Sequence, residues 1–273
     1  MRNVSAQQVE RELAELIKRC LVEVDCDVTA ALENLASDTG LEGVAAELIA
    51  ENNRTAKREG AFACQDTGQA VIMIKLGDEV CCPGLSRAVA DAVRAAYADA
   101  RKSVADPLTR INTGDNTPAI VETELVSGDS LEIAFLAKGA GSENMTKLYM
   151  LTPADGEAGI VDSVVDAIAR GGANACPPLV IGVGIGGVAE TACMLAKRAT
   201  LRGLGAHNER ADAARLETEI LKRVNALGIG VAALGGKTTA LSVNVELAPT
   251  HIGMLPVAVN LQCHSLRHGK IVL

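Results

Sequence analysis

The sequence has no tryptophan, and two tyrosines and two phenylalanines leave aromatics at 1% of its 273 residues. Any core must therefore be packed from Ala, Val, Leu and Ile, without the large area that aromatic rings bury. Positive charge is also short: 26 Lys and Arg face 34 Asp and Glu, for a net charge of −8. That excludes the basic footprint of a nucleic-acid binder. No apolar run is long and charge-free enough to span a bilayer; the most apolar stretch, Pro178 to Val188, is short and broken by glycine. The opening Met1-Arg2-Asn3-Val4 and the amphipathic stretch after it lack the apolar centre of a signal peptide. These absences lead to the expectation of a soluble, cytoplasmic protein. Finally, eight cysteines include no CxxC pair, which disfavours a zinc ribbon or a ferredoxin-type site.

What is present is a globular composition, 48% apolar with 26 glycines. Val9, Leu13, Leu16, Ile17 and Leu21 keep a helical period, which predicts a helix from Ser5 to about Val24. Further helices are expected over Thr29–Ala36 and Leu41–Arg58, giving a helical N-terminal subregion of about residues 1–60. The period then changes to strand at Ala70–Lys75, with a helix at Leu85–Ala100. Ile120–Val126 and Leu131–Ala137 read as a strand pair joined by the turn Ser127-Gly128-Asp129. Helices at Ile160–Gly171, Val188–Leu201 and Ala211–Leu227 surround a buried strand at Leu179–Val183, and Thr239 to Leu273 reads as strands. With no repeat, low-complexity tract or linker, the expectation is one α/β (α+β) domain over residues 1–273, with mixed sheets covered by helices.

Three cysteines stand in turn-like surroundings. Cys64 opens Cys64-Gln65-Asp66-Thr67-Gly68, Cys176 opens Cys176-Pro177-Pro178, and Cys263 lies in Gln262-Cys263-His264-Ser265-Leu266-Arg267-His268. A buried structural thiol has no need of Gly, Pro and charged neighbours. A thiolate ligand does, because backbone must wrap the metal and N–H groups must point at sulfur. On spacing alone, three core thiols compete with a metal site.

The adjoining motifs tip that balance. Ala63–Gly68, Asn112-Thr113-Gly114-Asp115-Asn116-Thr117-Pro118-Ala119, Lys138-Gly139-Ala140-Gly141-Ser142-Glu143-Asn144 and Ala175–Pro178 occur in order, followed by Gly235-Gly236-Lys237 and Cys263. This series resembles the class I (iron–sulfur) fumarate hydratase and L-tartrate dehydratase alpha region, from about residue 5 to the end. The resemblance implies a [4Fe–4S] cluster on Cys64, Cys176 and Cys263, whose fourth iron, left without a protein ligand, serves as a Lewis acid. Cys20, Cys26, Cys81, Cys82 and Cys193 fall outside the motifs and are expected to be packing or surface thiols.

The resemblance also implies that Gln65 and Asp66 contact substrate, with Asp66 in proton transfer. Arg101 aligns with a substrate-binding arginine, and Arg110 is its local rival; a guanidinium grips carboxylate through two donors. Gly141 matches a glycine whose backbone approaches substrate, although Ala140 departs from the family's run of three glycines. His207 matches a family histidine near the active site and is a candidate catalytic residue. The implied activity is reversible hydration of a small dicarboxylate, fumarate/L-malate first, with L-tartrate and mesaconate as alternatives. Relatives carry a second, smaller domain, fused or as a beta subunit, so the expected assembly is a hetero-oligomer of alpha2beta2 type.

Two glycine-rich segments point elsewhere. Gly182-Val183-Gly184-Ile185-Gly186-Gly187 satisfies GxGxxG and supports an alternative NAD(P)-binding oxidoreductase reading. No acidic residue ends a second strand at the required distance, so close strand–helix packing explains these glycines better. Gly235-Gly236-Lys237-Thr238 resembles the end of a P-loop, but Val231 stands where that motif requires glycine. A redox sensor resting on the cysteines alone is the remaining alternative.

Overall fold

The N-terminal apolar stripe becomes a helix that buries Val9, Leu13, Leu16, Ile17, Cys20 and Leu21 in the computed structural model, which describes all of Met1–Leu273. In chain order the first elements are β1 (Arg2–Asn3), α1 (Ala6–Val22), α2 (Cys26–Leu35), α3 (Leu41–Glu59), β2 (Gln69–Gly77), β3 (Val80–Cys81), α4 (Leu85–Ala96), β4 (Ile120–Val126) and β5 (Leu131–Lys138). There follow α5 (Ala140–Glu143), β6 (Lys147–Leu151), α6 (Gly156–Gly171), β7 (Leu179–Gly186), α7 (Ala189–Ala199), α8 (Ala211–Asn225), β8 (Ala240–Ala248), β9 (Leu255–Gln262) and β10 (His268–Val272). Helices and mixed sheets together bear out the α/β expectation. No helix is long and apolar enough to cross a membrane.

The chain divides into two compact units. The first comprises Met1–Asp25, Asn53–Ala140 and Arg267–Leu273; the second comprises Cys26–Asn52 and Gly141–Leu266.

The first unit holds a four-stranded sheet in the order β10-β5-β2-β4, with α1 and α4 packed on one face. The expected strands at Ile120–Val126 and Leu131–Ala137 both form, but they do not pair with each other. Instead β2 lies between them, antiparallel to β5 and parallel to β4. The reason lies in side-chain chemistry. Val71, Ile72, Met73 and Ile74 of β2 are buried on both faces, which suits a central strand. In β4, Glu122 and Glu124 alternate with exposed positions, which suits an edge. The helix expected to reach Ala100 stops at Ala96, where Lys102 Nζ donates to the carbonyls of Tyr97, Ala98 and Ala100. A lysine supplying donors to terminal carbonyls ends the helix early.

The second unit is a three-layer sandwich around the sheet β6-β9-β7-β8. On one face α6 and α8 cover Ile181, Val183, Val245, Val257 and Val259; on the other, α7 sets Ala192 and Ala196 against Ala258. Gly182, Gly184 and Gly186 of the GxGxxG segment lie in β7 itself, and Gly187 follows directly after its end. A Cβ on Gly182 would meet the Ala196 carbonyl oxygen at 1.9 Å, and one on Gly184 would meet that of Ala192 at 2.0 Å. Glycine thus lets the backbone of α7 lie directly on the strand, as the close-packing reading expected.

The two units share one wiring. In each, a central strand (β2 or β7) leads through helix to a parallel outer strand (β4 or β8), and the next strand (β5 or β9) returns antiparallel on the central strand's other side. The segment entering the central strand therefore lies beside the segment leaving the returning strand. The cysteine motifs sit at these strand ends.

Candidate active site

In the first unit, the entry to β2 is the Cys64–Gly68 turn and the exit of β5 is Lys138-Gly139-Ala140. Asp66 joins them. Its Oδ1 accepts from the Gly68 N–H at 2.9 Å, and its Oδ2 accepts from the Ala140 N–H at 2.8 Å. Behind the turn lies Arg267, 1% exposed, whose Nη2 donates to the Asp66 carbonyl at 2.9 Å. The Tyr97 hydroxyl, whose pKa burial pushes above the ordinary phenol range, donates to the Thr67 carbonyl at 3.3 Å.

The same turn fixes Arg101. The Thr67 hydroxyl donates to the Arg101 carbonyl at 3.0 Å, and Asn116 Nδ2 donates to that carbonyl at 2.8 Å. Asn116, fully buried at φ 61°, also accepts the Ser103 N–H at 2.5 Å on Oδ1. One buried amide thus sets the Arg101–Val104 path next to the Asp66 turn, while the Arg101 side chain stays exposed. Arg110 has no such tie; its N–H closes a local turn on the Asp106 carbonyl at 3.0 Å. Asp115 of the same motif is held down to about 2, first by the Thr117 hydroxyl and N–H and then by Arg94. An acid whose folded pKa is depressed adds stability above its ordinary pKa of 3.8, and loses it as pH falls toward about 2.

In the second unit, Cys176-Pro177-Pro178 enters β7 and Gln262-Cys263-His264 leaves β9. The His264 N–H donates to the Cys176 carbonyl at 3.2 Å, so the fold brings two of the three predicted ligands to one sheet end. Cys176 is exposed and left-handed, at φ 56°. Next to it the Ala232 N–H donates to the Pro177 carbonyl at 2.9 Å, and Ala232 and Ala233 are left-handed too, at φ 53° and 59°. Three of the chain's five left-handed non-glycine residues are therefore gathered at this cysteine. Strain of this kind persists where surrounding structure over-determines it, and it concentrates at functional sites. The cost yields a prediction. In cluster-free protein, Cys176→Gly is expected to be more stable than Cys176→Ala by about 1 kcal/mol, because only glycine is relaxed at this φ. Equal denaturant midpoints for the two variants would contradict this.

The Gly235–Thr238 segment sits further along the same loop. Lys237 N–H and Thr238 N–H donate to the Glu42 carboxylate at 3.1 and 2.8 Å, and a Cβ on Gly236 would meet that carboxylate at 2.5 Å. Where a P-loop would cradle phosphate, these amides hold a carboxylate of the chain's own α3.

His207 lies elsewhere in this unit. Its Nδ1 is 3.3 Å from Glu217 Oε2, and Glu217, 1% exposed, also binds Arg202 and accepts the Val245 N–H at 2.8 Å. Asn208 Nδ2 donates to the Val245 carbonyl at 2.8 Å. This loop covers the outer edge of β8, and Val245 pairs with Val183, three residues up β7 from the Val180–Gln262 pair. The structure thus places His207 about 10 Å along the strand direction from the cysteine end, and across β7 from it. Gly141 begins the longer segment of the second unit, and a Cβ there would meet only the Asn174 carbonyl oxygen at 3.6 Å, an ordinary contact. Nothing inside the chain requires glycine at that position.

None of the eight cysteines is in a disulfide, and burial separates them into classes. It pushes Cys20 up to about 12 and raises Cys82 and Cys193 above the ordinary thiol value. Thiols held protonated in this way are poor ligands. Cys64 and Cys263 are half-buried and Cys176 is exposed. No three His, Cys, Asp or Glu side chains gather within reach of a single metal ion. A cluster brings its own irons and sulfides between its thiolates, so its ligands stand further apart than those of one ion. The Gln262 amide beside Cys263 is wholly buried, yet neither its nitrogen nor its oxygen has a hydrogen-bond partner. At this end of the second unit, the Cys176 thiol on left-handed backbone and the Cys263 thiol beside a buried, unpaired amide fit an inorganic group.

Sequence reasoning missed Arg267 and Asn116 as supports of this site. Asn116 lies inside the Asn112–Ala119 motif. Arg267 stands four residues after Cys263, and its pairing with Asp66 depends on β10 joining β5.

A family model described as fumarate hydratase (Fumerase) matches residues 10–272. The chain is 37% identical over 269 residues to a putative L(+)-tartrate dehydratase subunit alpha of Methanocaldococcus jannaschii, with 94% of each chain covered. It is 29% identical over 288 residues to the L(+)-tartrate dehydratase subunit alpha of Escherichia coli O157:H7, covering 100% of this chain and 94% of that one. To the corresponding subunit of Escherichia coli strain UTI89 it is 30% identical over 286 residues, covering 99% and 94%.

Proposed function

Since this chain belongs to the fumarate hydratase (Fumerase) family of hydro-lyases, we propose that it is the alpha subunit of an iron–sulfur enzyme that moves water on and off a four-carbon dicarboxylate. Cys64, Cys176 and Cys263 would hold a [4Fe–4S] cluster. When bound, that group supplies an iron that polarises a substrate hydroxyl as a Lewis acid. The chain's own side chains do the rest. Arg101 grips one carboxylate through two donors, Gln65 adds an amide donor, and Gly141 lets the substrate approach the backbone. Asp66 carries the proton at its carboxylate, which the Gly68 and Ala140 N–H groups hold in one orientation. His207 is assigned a proton-carrying role from the β8 edge. His207→Gln, which keeps a partner for Glu217, should lower kcat more than tenfold; unchanged kcat would leave His207 as edge cover only.

The observation that carries this reading is the meeting of Cys176 and Cys263 at one sheet end, with Asp66 and Arg101 fixed at the like-built end of the first unit. The relatives' names add a beta subunit as partner and favour L-tartrate over the fumarate/L-malate pair expected from the motifs. The test is anaerobic reconstitution of this chain with a beta subunit, followed by assays on L-tartrate and L-malate. Dehydration of either supports the proposal, and the faster one names the substrate. Activity on neither, with the cluster in place, would remove it.

A further inference from the structure

Gln262 ends β9, pairs in register with Val180 of β7 and immediately precedes Cys263. It is 0% exposed, and both its amide nitrogen and its amide oxygen lack a hydrogen-bond partner. Other buried amides of this chain are treated differently. Asn244, also 0% exposed, donates to the Ala199 and Arg202 carbonyls at 2.9 and 3.2 Å and accepts from Ser242 at 2.6 Å. Asn260, two residues before Gln262, leaves its Oδ1 without a partner, but its Nδ2 donates to Glu143 at 3.0 Å and to Thr146 at 2.8 Å; Gln262 has neither end engaged. Ser242, across β7 in the same row, already has its hydroxyl engaged. A buried amide left unpaired costs about 1–3 kcal/mol. An isosteric Met or Leu there would avoid that cost, and the chain keeps the amide instead.

Two candidate ligand segments flank this amide. Cys263 follows it directly, and Cys176 lies three residues before β7 with its carbonyl bonded to the His264 N–H. We propose that Gln262 is a positioning residue for the inorganic group at this end of the sheet, its Nε2–H donating to a thiolate or sulfide sulfur there. The inference rests on the cluster reading given above. An N–H donor aimed at sulfur stabilises the more negative state of a cluster and slows its loss, as outer-sphere donors do at metal sites generally.

The test uses full-length chain, apo and anaerobically reconstituted, as wild type, Gln262→Met and Gln262→Leu. In the apo form Gln262→Met should unfold at a higher temperature than wild type, because the unpaired amide is gone. In the reconstituted form both variants should release iron to a chelator about tenfold faster than wild type, since both lose the donor. Their cluster midpoint potential should also move to more negative values. A lower apo Tm for Gln262→Met would show that the amide is satisfied within the protein and overturn the proposal. Wild-type iron release in both variants would overturn it too. A wild-type chain that takes up no iron would instead remove the cluster reading itself, so the two failures are distinguishable.

Discussion

Asp66→Asn is expected to lower kcat by about 10²–10⁴-fold in the assembled enzyme while the chain still folds and takes up iron. The side chain receives two N–H donors, from Gly68 on one oxygen and from Ala140 on the other. An asparagine offers one oxygen and one NH₂ group, so one of those N–H groups must face another donor. That costs about 1–3 kcal/mol and loosens the join between the β2 entry and the β5 exit. A structural loss of this size leaves a domain of this length folded. The proton-carrying role proposed for Asp66 would be lost entirely, because an amide does not accept and return a proton near neutral pH. Iron per chain and kcat measured on the same preparation separate the two effects. Normal iron with wild-type kcat would reduce Asp66 to a turn residue.

Arg267→Met should lower the stability of the first unit by about 2–3 kcal/mol, or roughly 5–10 °C in Tm. Methionine keeps the apolar stem but removes the guanidinium that donates to the Asp66 carbonyl from a site 1% exposed. Because that bond holds the backbone from which Asp66 projects, kcat should fall with stability. Arg101→Met provides the contrast. Its side chain is exposed, so the fold should lose little while KM for the dicarboxylate rises. A Tm for Arg267→Met equal to wild type would show that Asp66 does not depend on this arginine.

The local signals in the sequence carried a good deal. The apolar stripe of α1, the buried strand β7 and the polar helix α8 stand close to where periodicity placed them. The long-range pairings were not legible. Ser127-Gly128-Asp129 reads as a hairpin turn, and the insertion of β2 between β4 and β5 follows only from the need to cover Val71–Ile74 on both faces. The shared wiring of the two units was hidden for the same reason, since it resides in strand order rather than in repeated residues. At the site, Cys64, Asp66 and Cys176 were visible because Gly, Pro and Asp neighbours mark turns with special backbone. Asn116 and Arg267 act through contacts with carbonyls on distant segments, and a sequence does not advertise where a carbonyl will lie. His207 shows the reverse case: a loop histidine after a helix carries no local sign that it will be tethered to Glu217 at a sheet edge.

The identity of the ligands is open to one measurement. Iron and acid-labile sulfide should be determined, with the visible spectrum, after anaerobic reconstitution of wild type and of Cys64→Ser, Cys176→Ser, Cys263→Ser and Cys81→Ser. The cluster reading predicts about four irons per chain in wild type and in Cys81→Ser, and loss of the cluster in each of the other three. Wild-type protein without iron, or the three variants retaining it, would contradict the assignment of Cys64, Cys176 and Cys263 as the ligands.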